Sequence, residues 1–202
     1  MRRHVAAVAA LLAVAPVPAA HAARRPAAPK PSCRIVTDTQ GDAIGVAAPV
    51  TNSQGDTGLD LVGADLATNA TTATFVFRLP GLNTTDPLSP FGRYFATTYT
   101  VAGTTHTVSV VVTPKGNDWG GGKGELNTTT GEIVVDLPLA AAGFAGLKPG
   151  AMVTKLSVLT KRWVGANGTG QLVGDAVDVA SSGATYKLGQ PSCVRVGAVA
   201  GT

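Results

Sequence analysis

The sequence predicts an all-β fold, an antiparallel β-sandwich of the immunoglobulin-like or jelly-roll-like kind with at most one short helix. Apolar and polar residues alternate over short segments, which is the period of a half-buried strand. Gly, Pro, Asn and Asp interrupt these segments every ~8 to 15 residues. The 202-residue chain is 45% hydrophobic and 14% charged, with 25 Gly and 13 Pro, which disfavours a disordered chain or a helical bundle.

Two hairpins carry the clearest pattern. Residues 59–67 and 74–79 flank a polar turn, and the phenylalanines of the second segment alternate with other residues. Residues 93–101 and 105–113 flank Ala102-Gly103, where a glycine allows the left-handed backbone of a tight turn. Further strands are predicted at 131–137, 152–163, 172–179 and 184–188, and the Ala-rich segment 139–144 could form one or two helical turns.

Residues 1–22 have the pattern of a signal peptide. Arg2 and Arg3 precede an apolar run over 5–17, and Ala20-His21-Ala22 is a small-x-small cleavage site. A membrane anchor is the alternative, but the run is shorter than the ~20 apolar residues that a spanning helix needs. We therefore expect a secreted, extracellular protein with no membrane span after signal cleavage.

The Pro- and Arg-rich segment 23–32 is predicted to be a flexible leader, and 33–202 a single sandwich domain. From Ile35 onward ten basic residues stand against twelve acidic ones, so the positive charge lies in the signal and leader. A nucleic-acid partner is not expected, because such a partner requires a basic surface on the folded domain. We expect a monomer.

Cys33 and Cys193 lie near the two ends of the mature chain. An even number of cysteines in an exported protein favours a disulfide between them. A metal or redox pair is the weaker alternative, because the sequence has no Cys-x-x-Cys and no cluster of histidines.

A short acidic segment offers oxygen ligands for a hard cation. Asp38 and Asp42 flank a glycine turn, and Asp60 at the start of the next element could reach the same loop. Ca²⁺ prefers such carboxylate and carbonyl oxygens on flexible loops. The alternative is a solvated loop closed by Asx turns, and the spacing alone slightly favours this alternative.

Two tryptophans are candidate ligand contacts. Pyranose rings stack on exposed aromatic side chains, so Trp119 in a glycine-rich loop and Trp163 at a strand end could contact a polysaccharide or cell wall. Packing over an edge of the sandwich is the alternative for both.

Catalysis is not expected. His106 has the same strand parity as the apolar residues Val108 and Val110, which favours a structural role over a place in a catalytic triad. Glu125 and Glu132 are the only glutamates, and nothing places them across a cleft as a glycosidase requires.

The run Asp38-Thr39-Gln40-Gly41-Asp42, followed by Leu59-Asp60-Leu61 and the alternating strand 74–79, resembles β-sandwich accessory domains of bacterial secreted proteins. It is similar to the glucodextranase C-terminal, family 9-like carbohydrate-binding and DOMON-like group, and later segments look like accessory domains of actinobacterial exoproteins. The resemblance implies a structural calcium at Asp38, Asp42 and Asp60, and a carbohydrate-binding or appended role.

Together these observations predict a secreted non-catalytic binding or accessory domain, with carbohydrate or cell wall as ligand and a structural Ca²⁺. The alternative is a structural or protein-interaction β-sandwich without a sugar ligand.

Overall fold

The computed structural model describes residues 33–43, 58–82, 91–165 and 169–189. The predicted signal peptide, the leader and Cys193 lie outside these residues. The described part contains no helix. Its strands are β1 Arg34–Thr37, β2 Gly63–Thr68, β3 Thr72–Arg78, β4 Phe91–Val101, β5 Thr104–Thr113, β6 Gly116–Asp118, β7 Lys123–Asn127, β8 Glu132–Pro138, β9 Met152–Val164, β10 Gln171–Ser182 and β11 Tyr186–Lys187.

The strands form two antiparallel sheets, which confirms the predicted all-β sandwich. Sheet A has the order β1-β2-β3-β8-β7, and sheet B has the order β10-β9-β4-β5-β6, with β11 paired to β9. Both predicted hairpins are confirmed, as β2 pairs with β3 and β4 with β5. Ala102 and Gly103 have φ angles of 48° and 82°, so both positions of the second turn are left-handed.

The core lies between the sheets and is built from the inward-facing side chains, which alternate with outward-facing ones along each strand. Phe75 and Phe77 of β3 point across to Tyr99 and Phe95 of β4, with ring centroids 5.9 Å and 5.5 Å apart. All four side chains are buried. Burial of each such ring contributes about 1.5–3 kcal/mol, so these cross-sheet pairs hold the two layers together.

The Ala-rich segment after β8 forms hydrogen-bonded turns instead of a helix. The Phe144 N–H donates to the Leu139 carbonyl at 2.7 Å, and the Tyr99 hydroxyl donates to the Ala142 carbonyl at 2.6 Å. Gly143 has a φ of 68°, which a right-handed helix does not allow. The segment closes one end of the sandwich, where the Phe144 ring packs against Tyr99.

Candidate functional site

Three carboxylates from different parts of the chain converge where the β1 edge of sheet A meets β10 of sheet B. Asp38 follows the last residue of β1, Asp42 lies four residues later, and Asp178 lies within β10. One oxygen of each carboxylate lies within 4.8 Å of the others. Among the described residues, no lysine or arginine forms an ion pair with any of the three. We call Asp38, Asp42 and Asp178 the acidic cluster.

The two oxygens of Asp38 have different surroundings. Oδ1 accepts a hydrogen bond from the Thr39 N–H at 2.9 Å, which is an Asx-type contact within the loop. Oδ2 is buried and has no hydrogen-bond partner among the described residues. A buried carboxylate oxygen without a partner is energetically unfavourable, so the geometry calls for a proton or a cation at this point.

Asp178 is the most buried member of the acidic cluster, with 7% of its surface exposed. Its Oδ2 accepts a hydrogen bond from the Leu61 N–H at 2.7 Å. Burial raises the pKa of Asp178 to about 6, and the negative charges of Asp38 and Asp42 act in the same direction. Burial is the larger of these causes, and the hydrogen bond from Leu61 acts against both by favouring the charged form.

Asp60 binds the backbone of the loop 38–42 and is not a member of the acidic cluster. Both of its oxygens accept hydrogen bonds from the Gly41 N–H, at 3.1 Å and 2.9 Å. Gly41 has a φ of 89°, so the turn that presents its N–H to Asp60 favours glycine. The structure therefore brings two of the three predicted metal ligands together and places the third as a buried side chain that positions the loop between them.

Sequence reasoning missed Asp178, although one signal was present. An aspartate stands between Val177 and Val179 in a segment that alternates like a strand. The structure places Asp178 opposite Thr160 of β9, on the face that points into the sandwich. An inward carboxylate on a strand requires a partner, and here the partner is the Leu61 N–H, in the segment that precedes β2.

The donor set of the acidic cluster fits a hard divalent cation. Ca²⁺ takes about six to eight oxygen ligands, with carboxylates among the preferred ones. Asp38 Oδ2 supplies a buried oxygen without another partner, and the exposed Asp42 leaves the solvent side open for water ligands. All three donors are oxygens, so the cluster has none of the nitrogen or sulfur ligands typical of zinc sites.

The two predicted ligand-contact tryptophans have different surroundings. The Trp119 ring lies over Gly124 of β7, where a Cβ would come within 2.2 Å of the indole, and it packs against the core. Trp119 therefore covers the edge between β6 and β7. Trp163 is half-buried on β9, and its ring lies beside that of Tyr94 on β4.

Cys33, one of the two cysteines of the predicted disulfide, lies in the described part of the chain. The Cys33 carbonyl accepts a hydrogen bond from Leu66 of β2, and the Gly189 N–H donates to Thr68 Oγ1, two residues further along the same strand. Because Cys193 lies outside the described residues, the pairing stays a prediction.

The residues considered for catalysis have structural surroundings. The His106 ring stacks against the buried Tyr99 with centroids 5.9 Å apart, and Gly143 lies directly against it. Glu132 pairs with Arg78, which also binds Asp65, in a charged row across the outer face of sheet A. The salt bridge from Arg34 to Asp65 extends this row to the edge strand.

No family model, curated protein or solved structure matches this chain. In the part of the chain that the structure describes, no helix is sufficiently long and apolar to cross a membrane.

Proposed function

We propose that this protein is a secreted, non-catalytic binding or accessory domain whose acidic cluster holds a structural Ca²⁺ and whose ligand is a carbohydrate or cell-wall polymer. The observation that carries the calcium part is the convergence of three carboxylates around the buried, unpartnered Oδ2 of Asp38. Burial and the charges of Asp38 and Asp42 together raise the pKa of Asp178, and a cation there would offset the repulsion among the three carboxylates.

The position of the acidic cluster gives the ion a structural role. Asp38 and Asp42 lie in the loop that follows β1, the edge strand of sheet A, whereas Asp178 lies in β10 of sheet B. An ion bound by all three would join this loop to the other sheet. Since an ion that binds only the folded state stabilises it by mass action, its binding would raise the free energy of unfolding.

The experiment compares the melting temperature of the oxidised mature protein in excess Ca²⁺ and in chelator. We expect calcium to raise it in the wild-type protein and to have no effect after Asp42→Ala. Asp136→Ala is the matched control, because Asp136 is an exposed aspartate on the outer face of sheet A, away from the cluster. Equal calcium responses of Asp42→Ala and wild type would contradict the proposed metal site.

The ligand part is tested separately by retention on insoluble polysaccharides and on peptidoglycan. Retention on one of these polymers supports the carbohydrate proposal, whereas failure to bind all of them contradicts it. The second candidate function is a structural or protein-interaction sandwich. It is favoured by the exposed apolar side chains Leu172 and Val179 on β10, which are 42% and 59% exposed.

A further inference from the structure

Two aromatic rings lie side by side on the outer face of sheet B. Tyr94 is on β4 and Trp163 is on the adjacent β9, where Tyr94 pairs with Lys161 and Trp163 pairs with Gly92. The two rings are therefore diagonal neighbours on the same face. Their planes differ by 11° and their centroids are 6.4 Å apart, so the rings are nearly parallel and offset, and neither covers the whole face of the other.

The position of these rings separates them from the core. Their neighbours along β4, Phe95 and Arg93, point inward and are buried, whereas Tyr94 and Trp163 are each only half-buried. Gly92 lies opposite Trp163 and adds no side chain above the sheet. Leu172 of β10 lies opposite Trp163 on its other side and is 42% exposed. The rings thus form a half-buried aromatic pair on this face, and Gly170 lies directly against the indole of Trp163.

The rest of this face carries hydroxyl and apolar side chains and two lysines. Lys161 lies opposite Tyr94, and the exposed Lys155 lies at the irregularity of β9 that faces Thr98 to Thr100 of β4. Next to the rings the outward positions carry Ala96, Val111 and Leu159. Further along the strands they carry small hydroxyl side chains, and neighbouring threonines bond to each other across β4 and β5. These hydroxyl side chains are Thr98, Thr100, Thr105, Thr107, Ser109 and Ser157.

This combination matches the chemistry of a neutral sugar polymer. A pyranose has an apolar face that packs on an aromatic ring and a rim of hydroxyls that exchange hydrogen bonds with polar side chains. β4, β5 and β9 contain no acidic side chain that could compensate a cationic polymer, and two lysines are few for a polyanion, so a neutral chain suits this face best.

We infer that Tyr94 and Trp163 form a stacking platform for a neutral polysaccharide chain on the outer face of sheet B. The inference rests on the proposed carbohydrate-binding function and names the site and the ligand class. Trp119 is not part of the platform, because its ring lies over Gly124 at the edge between the sheets.

The first test is retention of the full mature protein on microcrystalline cellulose and on insoluble chitin. Loss of one stacked ring should weaken binding about tenfold, so we expect Trp163→Ala and Tyr94→Ala each to reduce affinity by that factor. Trp163→Phe keeps an aromatic face and should retain most of the binding. The melting temperature of every variant is measured to confirm that it is folded.

The second test uses the tryptophan emission as a local probe. The chain has two tryptophans, so Trp119→Phe leaves Trp163 as the single emitter. We expect cellohexaose or chitohexaose to shift or quench this emission, and Trp119→Phe to be retained on the polymer like the wild type.

The outcomes separate the inference from the function on which it rests. If the wild type is retained on a polymer and the folded variants Trp163→Ala and Tyr94→Ala are retained equally well, the platform is overturned and the carbohydrate proposal stands. Retention of the wild type on neither polymer would overturn the platform, and its additional failure on peptidoglycan would overturn the carbohydrate proposal. An unchanged Trp163 emission with the oligosaccharide of a polymer that retains the protein would also contradict the platform.

Discussion

Replacement of Asp178 by asparagine should affect stability in opposite directions with and without calcium. The substitution keeps the shape of the side chain and an oxygen that can accept the Leu61 N–H, but it removes the charge. In chelator at pH 7.5, the wild-type carboxylate is ionised although burial and its acidic neighbours raise its pKa to about 6. The variant avoids this repulsion and should therefore be more stable.

The magnitude follows from the shift of the pKa. From 3.8 to about 6 is a rise of about two units, which corresponds to about 3 kcal/mol. Because Asp42 is exposed and solvent screens its charge, we take half of this, about 1.5 kcal/mol. For a domain of this size 1 kcal/mol changes the melting temperature by about 2–4 °C, so the chelated variant should melt ~3–6 °C above the chelated wild type.

Calcium should reverse this order. At a free concentration 100 times the dissociation constant, the ion adds about 2.7 kcal/mol to the wild type, which is a rise of about 5–10 °C. Asp178→Asn should lose most of that rise. Differential scanning calorimetry of both proteins in chelator and in calcium gives the four melting temperatures. The reasoning would be refuted if Asp178→Asn melts below the wild type in chelator, or if calcium raises its melting temperature as much as that of the wild type.

Three further predictions follow from the structure. In chelator, the free energy of unfolding of the wild type should fall as the pH rises from about 4 to about 6, because over this range the folded state holds the Asp178 proton more tightly than the unfolded chain does. Urea titrations at several pH values measure this contribution to the pH dependence, which should be absent in Asp178→Asn. Gly143→Ala should cost about 1–3 kcal/mol in the same assay, because φ is 68° and the new Cβ would meet the His106 ring, whereas Gly146→Ala, with a φ of 73° but open space around it, should cost less. Cys193→Ser should lower the free energy of unfolding by about 2–4 kcal/mol, and an equal stability of oxidised and reduced wild type would contradict the predicted disulfide.

The local part of the fold could be predicted from the sequence because its determinants are close together in the chain. The turn at Ala102-Gly103 and the alternating phenylalanines of β3 specify their hairpins through backbone conformation and side-chain period. The short edge strands β6 and β7 were not predicted, because the glycines between them mask any alternation. The Ala-rich segment is apolar and favourable for a helix, but Gly143 and Gly146 both have positive φ angles, which turn the chain back over Phe144.

The candidate site could be predicted only in part, for a physical reason. Asp38 and Asp42 share one loop, so their proximity follows from the sequence. Asp178 reaches that loop only through the packing of one sheet on the other, and its direction depends on a register shift in β10 between Val173 and Asp178. Such shifts decide which face a side chain occupies. For the same reason, the sequence does not predict that Tyr94 and Trp163 are neighbours, because this depends on the register between β4 and β9.

Isothermal titration of chelator-treated wild-type protein with Ca²⁺ tests the central claim most directly. The account predicts binding of a single ion per chain, lost in Asp38→Asn and in Asp178→Asn and retained in the control Asp136→Ala. Absence of binding heat at several temperatures, together with an unchanged melting temperature in calcium, would contradict the proposed metal centre.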